Sequence, residues 1–272
     1  MKLFLTAAMT VLMVAAVSGT AQAIGAPPPS VISIQTTAPD SLDPVIEAIK
    51  HQFTKKGGVR FTAKTRERTF GILGTVTAFG SYRFSASGVH SSDSTEVDHE
   101  DGSRFHLINV GRASYTQDSK YDSLPKGKKW RSWRNTTGFL WSDKLVDGIN
   151  TGFLALAASQ DRKTSDGGTI EGTACTLLEG TVTVAGLEVS KAGVSFSTKD
   201  TGATGGTISW RLWVGPDHLP RRFNAAITWD AEPDKRDEGF DYVKTNKFYR
   251  QWGSNFTIMA PPKRTTISHT RS

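Results

Sequence analysis

Residues 207–229 read TISWRLWVGPDHLPRRFNAAITW, and this stretch carries the clearest structural signal in the chain. Its second half alternates apolar with polar or small side chains, which is the period of a strand that buries one face. The residues GPDH at 215–218 form a typical turn sequence between the two halves. The stretch therefore predicts an antiparallel hairpin made of strands 207–214 and 222–229. The side chains predicted to face the interior are Phe223, Ala225, Ile227 and Trp229.

The same period-two pattern recurs along the chain on both sides of this hairpin. Val59, Phe61 and Ala63 alternate with polar residues, and most apolar residues between 76 and 86 share one parity. Further strands are predicted over 104–110, 173–184 and 243–257. Residues 91–102 are acidic and rich in serine, and they are predicted to form a turn.

Two segments have the spacing of helices. A helix capped by Asp40 or Ser41 would place an apolar stripe that includes Ile46 and Phe53 on one side, and it would end at Gly57. A second, largely apolar helix is predicted over 141–159. Many strands with two helices predict the α+β class, in the form of a large curved antiparallel sheet, a half-barrel, wrapped over two or more helices. Such a sheet readily encloses a cavity.

The first 23 residues have the order of a secretory signal peptide. Lys2 precedes an apolar stretch that is too short to cross a bilayer, and a small-x-small sequence ends at Ala23. We expect cleavage after Ala23 and secretion to the extracellular space or cell envelope. The predicted organisation is a signal peptide at 1–23, a flexible proline-rich lead at 24–38, one domain at 39–258 and a basic flexible tail at 259–272.

Composition narrows the class of protein. The chain carries a formal net charge of +7, but its Lys and Arg residues are scattered along the sequence. Scattered charge mainly favours solubility, and weak attraction to anionic lipid or wall polymers is the more specific alternative. No nucleic-acid-binding signature is present. Cys175 is the single cysteine, so it is predicted to be a buried apolar side chain in a strand.

A search for catalytic chemistry yields no candidate. The chain has no Gly-x-Ser-x-Gly elbow, and its six histidines form no pair with ligand spacing. The acidic groups at 98–101 and 234–241 do not match a calcium loop and are interpreted as solvated. The tryptophans are interpreted as core or cavity walls rather than as a carbohydrate platform. The sequence therefore predicts no enzyme, no metal site and no cofactor.

Five segments taken together resemble a known family. They are NVGRASY at 109–115, LPKGKKW at 124–130, FLALA at 153–157, residues 172–183, and LWVGPDHLPRR at 212–222. In order and spacing these segments are similar to the LppX and LprG type of actinobacterial lipoproteins, which have the LolA-like lipoprotein-carrier fold. The resemblance implies a curved antiparallel sheet over helices with an apolar cavity for acyl chains. The chain differs from the family pattern at two positions. The lipidated cysteine that many members carry is absent, with Ile24 following the predicted signal peptide, and Cys175 occupies a position where relatives often have an aromatic residue.

The residues and the resemblance lead to one functional hypothesis and two alternatives. The first is an exported, non-enzymatic monomer that binds or carries an acyl-chain lipid, such as a cell-envelope lipid, or a similar apolar ligand. The second is a secreted interaction or sensor domain whose cavity is filled by side chains. The third is a cryptic hydrolase. The predicted cavity walls are Phe61, Tyr82, Phe84, Leu145, Ile149, Phe153, Leu156, Leu212 and Ile227.

Overall fold

A computed structural model describes residues 41–69, 72–118, 124–134, 146–186, 203–231 and 240–268. The predicted signal peptide and proline-rich lead therefore lie outside the described residues. Within those ranges the chain forms a 12-stranded open curved sheet, the α-helices α1 Asp43–Thr54 and α2 Thr151–Ala158, and a short helical segment at 184–186. This confirms the predicted α+β class.

The sheet consists of two antiparallel meanders joined at its centre. Its strands are β1 Gly58–Thr69, β2 Ile72–Ser85, β3 Gly88–Asp98, β4 Arg104–Val110, β5 Ala113–Asp118, β6 Trp130–Arg134, β7 Arg162–Ile170, β8 Thr173–Thr183, β9 Ala203–Val214, β10 Pro220–Ala231, β11 Phe240–Arg250 and β12 Thr266–Ser268. Strands β1 to β6 form the first meander and β7 to β11 the second, and β1 pairs with β11. The helix α2 lies between the two meanders in sequence.

The predicted hairpin is confirmed as β9 and β10. The backbone N–H of Gly215 donates to the carbonyl of Leu219 at 3.0 Å, and Asp217 accepts from the backbone N–H of Leu219 at 3.1 Å. His218 adopts a left-handed backbone with φ of 58°, which closes the turn. Of the four predicted inward residues, Phe223, Ala225 and Ile227 are buried, and Trp229 is partly buried against the core.

The first helix is confirmed with small changes at its ends. It begins at Asp43, where the hydroxyl of Ser41 accepts from the Asp43 backbone N–H at 3.1 Å, and it ends at Thr54. Pro44 suits the first turn because a proline there removes no intrahelical hydrogen bond. The predicted apolar stripe is buried against the sheet.

The second helix was predicted too long at its start. Residues 146–150 form a turn and extended backbone, and α2 begins only at Thr151. The side chain of Asn150 explains the boundary, because its Oδ1 accepts from the backbone N–H groups of Gly152 and Phe153 at 3.0 and 3.1 Å. The predicted start at 141–145 lies outside the described residues.

Two other segments differ from the sequence prediction. Residues 91–98 belong to strand β3 and not to a turn, because pairing with β2 and β4 on both sides overrides the turn tendency of their serines. The tail, predicted to be flexible, contains a 3-10 helix at Lys263–Thr265 and strand β12, which pairs in parallel with β6. Strand β11 ends at Arg250, seven residues before the predicted end.

The strands have an inner face that packs against α1 and α2 and an outer face that points away from both helices. The inner face of β1, β2 and β8 to β11 forms one apolar core with the two helices. Cys175 is 7% exposed in β8, and burial raises the pKa of its thiol. This confirms its prediction as a buried apolar residue.

Candidate functional site on the inner face

The predicted cavity walls come together on the inner face and the elements that cover it. Five of them lie on strands β1, β2, β9 and β10, Phe153 and Leu156 belong to α2, and Ile149 precedes that helix. Leu145 lies outside the described residues. Seven of the eight described walls are buried, and Leu156 is partly buried. Their placement is the expected one, and their role as ligand contacts stays a prediction.

Aromatic contacts join predicted walls to each other and to neighbouring core residues. Phe61 and Tyr82 stack with ring centroids 4.6 Å apart across β1 and β2. Phe153 of α2 meets Phe223 edge to face at 5.8 Å and Trp210 at 6.3 Å. Offset and edge-to-face pairs of this kind add to the stabilisation from burial alone. Phe153 thus attaches α2 to the sheet together with the buried Leu154 and Ala157.

A buried ion pair lies in the middle of this apolar face. The Nζ atom of Lys247, which is 0% exposed, is 2.5 Å from Oδ2 of Asp147, which is 1% exposed. Lys247 also donates to the Tyr82 hydroxyl at 2.8 Å, and the Tyr249 hydroxyl donates to Oδ1 of Asp147 at 2.6 Å. The ammonium group lies 4.1 Å from the ring centroid of Phe61, a cation–π contact. A buried charge is tolerated only with such a set of partners.

The loop at 146–150 brings Asp147 to this position. Gly148 permits the approach, since a Cβ atom there would lie 2.7 Å from the Cβ of Phe223. The Gly148 backbone N–H donates to the Tyr249 hydroxyl at 3.0 Å, and the Ile149 N–H donates to Asp147 Oδ1 at 3.1 Å. The ion pair therefore ties the loop that leads into α2 to strand β11.

Beyond β2 the inner face becomes polar. Ser92 of β3 lies opposite Tyr82, Asn109 of β4 lies opposite Ser92, and Ser114 of β5 lies opposite Asn109. Asn109 donates to the Ser92 hydroxyl at 2.8 Å and accepts from the Ser114 hydroxyl at 2.6 Å. All three are buried, and we call them the polar strip. The inner face is therefore amphipathic, with an apolar part and a hydrogen-bonding part.

Other chemistry in the described residues is limited. Three depressions of about 380 to 510 Å³ are present there, and Phe61 is the one predicted wall residue that borders any of these three.

No group of three metal-ligating side chains occurs in the described part of the chain. Within the same ranges, no helix has the length and apolar character needed to cross a bilayer. The Ser85 hydroxyl contacts Ser87 Oγ at 3.0 Å and donates to the Gly88 carbonyl at 3.3 Å.

Sequence analysis missed the ion pair. Its signal was present in β11, where Val243, Thr245, Lys247 and Tyr249 occupy alternate positions and Lys247 has the parity of its apolar neighbours. A lysine at an inward position requires an anionic partner. That partner, Asp147, stands one hundred residues earlier, so nothing local to β11 could have identified it.

Comparisons with known proteins find similarity in structure alone. No protein-family model matches the chain, and no curated protein matches it. Solved structures that it resembles include LprF from Mycobacterium bovis, at 11% identity and a TM-score of 0.41, with 80% of this chain and 95% of LprF covered. MucB matches at 13% identity and a TM-score of 0.33 over 79% of this chain and 62% of MucB. A LolA superfamily protein from Nitrosomonas europaea matches at 11% identity and 0.29, over 80% and 94%.

Proposed function

We propose that this chain is a non-enzymatic binding protein whose inner face takes up an acyl-chain lipid or a similar amphipathic ligand. The amphipathic inner face carries this proposal. Its apolar part, which includes Phe61, Phe223 and Ile227, suits a hydrocarbon chain, and the polar strip beside it suits a polar headgroup. An acyl chain of twelve carbons gains roughly 10 kcal/mol from burial at about 0.8 kcal/mol per CH₂.

Uptake requires the inner face to open, since the walls pack against one another in the structure. The cover to be displaced is the loop at 146–150 together with the short helix α2. This cover is held by the Asp147 to Lys247 pair and by the contacts of Phe153. The cost of separating these contacts is the same for every ligand, whereas the free energy of burial grows with each CH₂. Affinity is therefore expected to rise with chain length.

A titration with fatty acids of 8 to 18 carbons, followed by displacement of a fluorescent fatty acid, tests the proposal. Affinity should rise by roughly fourfold per added CH₂ until the chain fills the available space. Ile149→Trp and Phe153→Trp should each weaken uptake, because both add bulk between the cover and the sheet. Tyr115→Trp is the matched control, since Tyr115 is partly exposed on the outer side of β5 and borders neither the walls nor the cover. Absence of binding to the wild type, or equal binding by all variants, would refute the proposal.

The second candidate is an interaction or sensor domain that keeps its interior filled. The buried pair between Lys247 and Asp147 favours it, because a charge pair occupies the place where an apolar cavity was predicted. In this case Phe153→Trp overpacks a rigid core, which typically costs about 1–3 kcal/mol of stability, and no fatty acid binds. Lipid mass spectrometry of protein purified from its native host separates the two functions, since co-purified lipid supports the first. Turnover of an ester panel would instead support a hydrolase.

Export to the cell envelope or medium belongs to the same proposal. It is supported by the signal-peptide order of residues 1–23. N-terminal sequencing of the secreted protein should give Ile24 as the first residue. A membrane-bound product that retains residues 1–23 would contradict it.

A further inference from the structure

Eight of the 33 Lys and Arg residues, scattered along the sequence, are brought by the fold onto one surface. Strands β10, β11, β1 and β2 are consecutive neighbours in the sheet. The outward positions of residues 60–68, 73–83, 222–228 and 244–250 hold no Asp or Glu. We call their cations the basic face. They are Arg60, Lys64, Arg66, Arg68, Arg83, Arg222, Lys244 and Arg250.

Like charges stand directly opposite one another within this basic face. In the pairing of β1 with β11, Arg60 lies opposite Arg250, and Arg66 lies opposite Lys244. Like charges in opposed positions of an antiparallel pair destabilise it. The repulsion between Arg60 and Arg250 is offset by the ion pair of Arg250 with Glu171. The hydrogen bond from Arg250 holds the pKa of Glu171 below its ordinary value. Arg66 and Lys244 are exposed to solvent, so their repulsion acts on a surface that an anionic partner could neutralise.

Aromatic rings hold part of the basic face in place. The guanidinium of Arg222 lies 4.6 Å from the ring centroid of Trp213 and 5.2 Å from that of Phe248. The guanidinium of Arg250 lies 5.8 Å from the Phe248 centroid on the other side. These cation–π contacts restrict the side chains and keep their charges on the outer face.

Exposed apolar side chains accompany the cations. Leu73 is 53% exposed and Phe79 is 45% exposed, and both occupy outward positions of β2. Phe79 and Arg60 border a 380 Å³ depression together with residues 256–258, and Asp93 and His106 of the neighbouring strands line its other side. Met259, which is 71% exposed, follows that segment directly. Cations mixed with exposed large apolar residues are typical of surfaces that bind at the interface of an anionic membrane.

We propose that the basic face docks onto the surface of an anionic lipid bilayer, with Leu73 and Phe79 entering the headgroup region. Four neighbouring strands span roughly 15 Å, so several cations can approach the lipid phosphates together. A cation near an anionic leaflet contributes about fivefold to the partition coefficient. The attraction falls when salt shortens the Debye length from about 10 Å at 0.1 M to about 3 Å at 1 M.

Flotation with vesicles tests this proposal, using phosphatidylcholine alone and phosphatidylcholine with phosphatidylglycerol at a 7:3 ratio. The full chain should bind the anionic vesicles at low salt, by on the order of 100-fold more than the neutral ones if three or more cations engage. The triple variant Lys64→Gln, Arg66→Gln and Lys244→Gln should lose most of this preference. The control variant Lys55→Gln, Lys126→Gln and Lys129→Gln removes the same charge from loops away from the basic face. It should bind the anionic vesicles within about threefold of the wild type.

Leu73→Ser combined with Phe79→Ser should remove the binding that persists at 0.5 M salt. Thermal melts must show that each variant is folded. Equal losses in the triple variant and its control would overturn the proposal, since net charge alone would then explain binding. Binding to a soluble polyanion such as polyphosphate, without binding to anionic vesicles, would overturn it in favour of a polymer partner.

Discussion

Lys247 and Lys244 lie three residues apart on strand β11 and face opposite sides of the sheet. Lys247 is fully buried and is paired with Asp147, Tyr82 and several aromatic rings. Lys244 is exposed and lies opposite Arg66. The inner face tolerates the ammonium group of Lys247 because the Asp147 carboxylate, the Tyr82 hydroxyl and the Phe61 ring surround it. The outer face tolerates many charges because water solvates them. Repulsion between cations that lie opposite each other there destabilises the strand pairing only slightly.

The largest expected difference between the two faces is at the neighbouring residues Ile227 and Thr228 of β10. Ile227→Asp places an unpaired carboxylate in the apolar core, where Ile227 is 1% exposed, and should cost at least about 4 kcal/mol of folding stability. Thr228→Asp, at an exposed position, should change stability by no more than about 0.5 kcal/mol. Urea unfolding measures both. Similar tolerance of the two substitutions would mean that the faces are assigned the wrong way round.

The next largest effect is expected at the buried ion pair. Asp147→Ala leaves the ammonium group of Lys247 buried without its carboxylate, which typically costs about 3–5 kcal/mol. The double variant Asp147→Leu with Lys247→Met should recover part of that loss, because apolar residues replace the pair but the Tyr249 hydroxyl and the Ile149 N–H lose their acceptor. Asp161→Ala is the control, since Asp161 is exposed. A loss below about 1 kcal/mol for Asp147→Ala would show that water reaches Lys247.

A smaller effect is expected when the tyrosine that supports the pair loses its hydroxyl. The Tyr249 hydroxyl donates to Asp147 and accepts from the Gly148 N–H, so Tyr249→Phe leaves both groups short of a partner. We expect a loss of about 1–3 kcal/mol in chemical denaturation. Tyr115→Phe is the matched control on the partly exposed outer side of β5. Equal effects of the two changes would contradict a specific role of Tyr249.

The smallest effect is expected at the outer face, and its sign is informative. Lys244→Gln removes a repulsion with Arg66 and should raise stability by up to about 0.5 kcal/mol at low salt. Lys163→Gln removes an attraction instead, because Lys163 lies opposite Glu179, and should lower stability slightly. Both effects should shrink in 1 M salt. Changes of the same sign in the two variants would argue against a role for cross-strand charge at these positions.

Several local features of this protein were determined by the sequence alone. The alternation in 222–229 predicted which side chains of β10 are buried, and the spacing in 42–53 predicted the buried face of α1. Both patterns depend on the geometry of one strand or one helix, so they can be read without knowing the neighbours. Eight of the nine predicted wall residues are described, and all of them lie on the inner face or its cover.

Tertiary structure decided what the local patterns could not. Pairing of β3 on both sides made a strand of a segment that reads as a turn, and the cap at Asn150 set the start of α2. The contact of Asp147 with Lys247 and the opposition of Arg66 and Lys244 join residues one hundred or more positions apart. The sequence determines the face on which a side chain lies, because that follows from backbone geometry. Only strand order and register determine what lies opposite it, because those depend on long-range pairing.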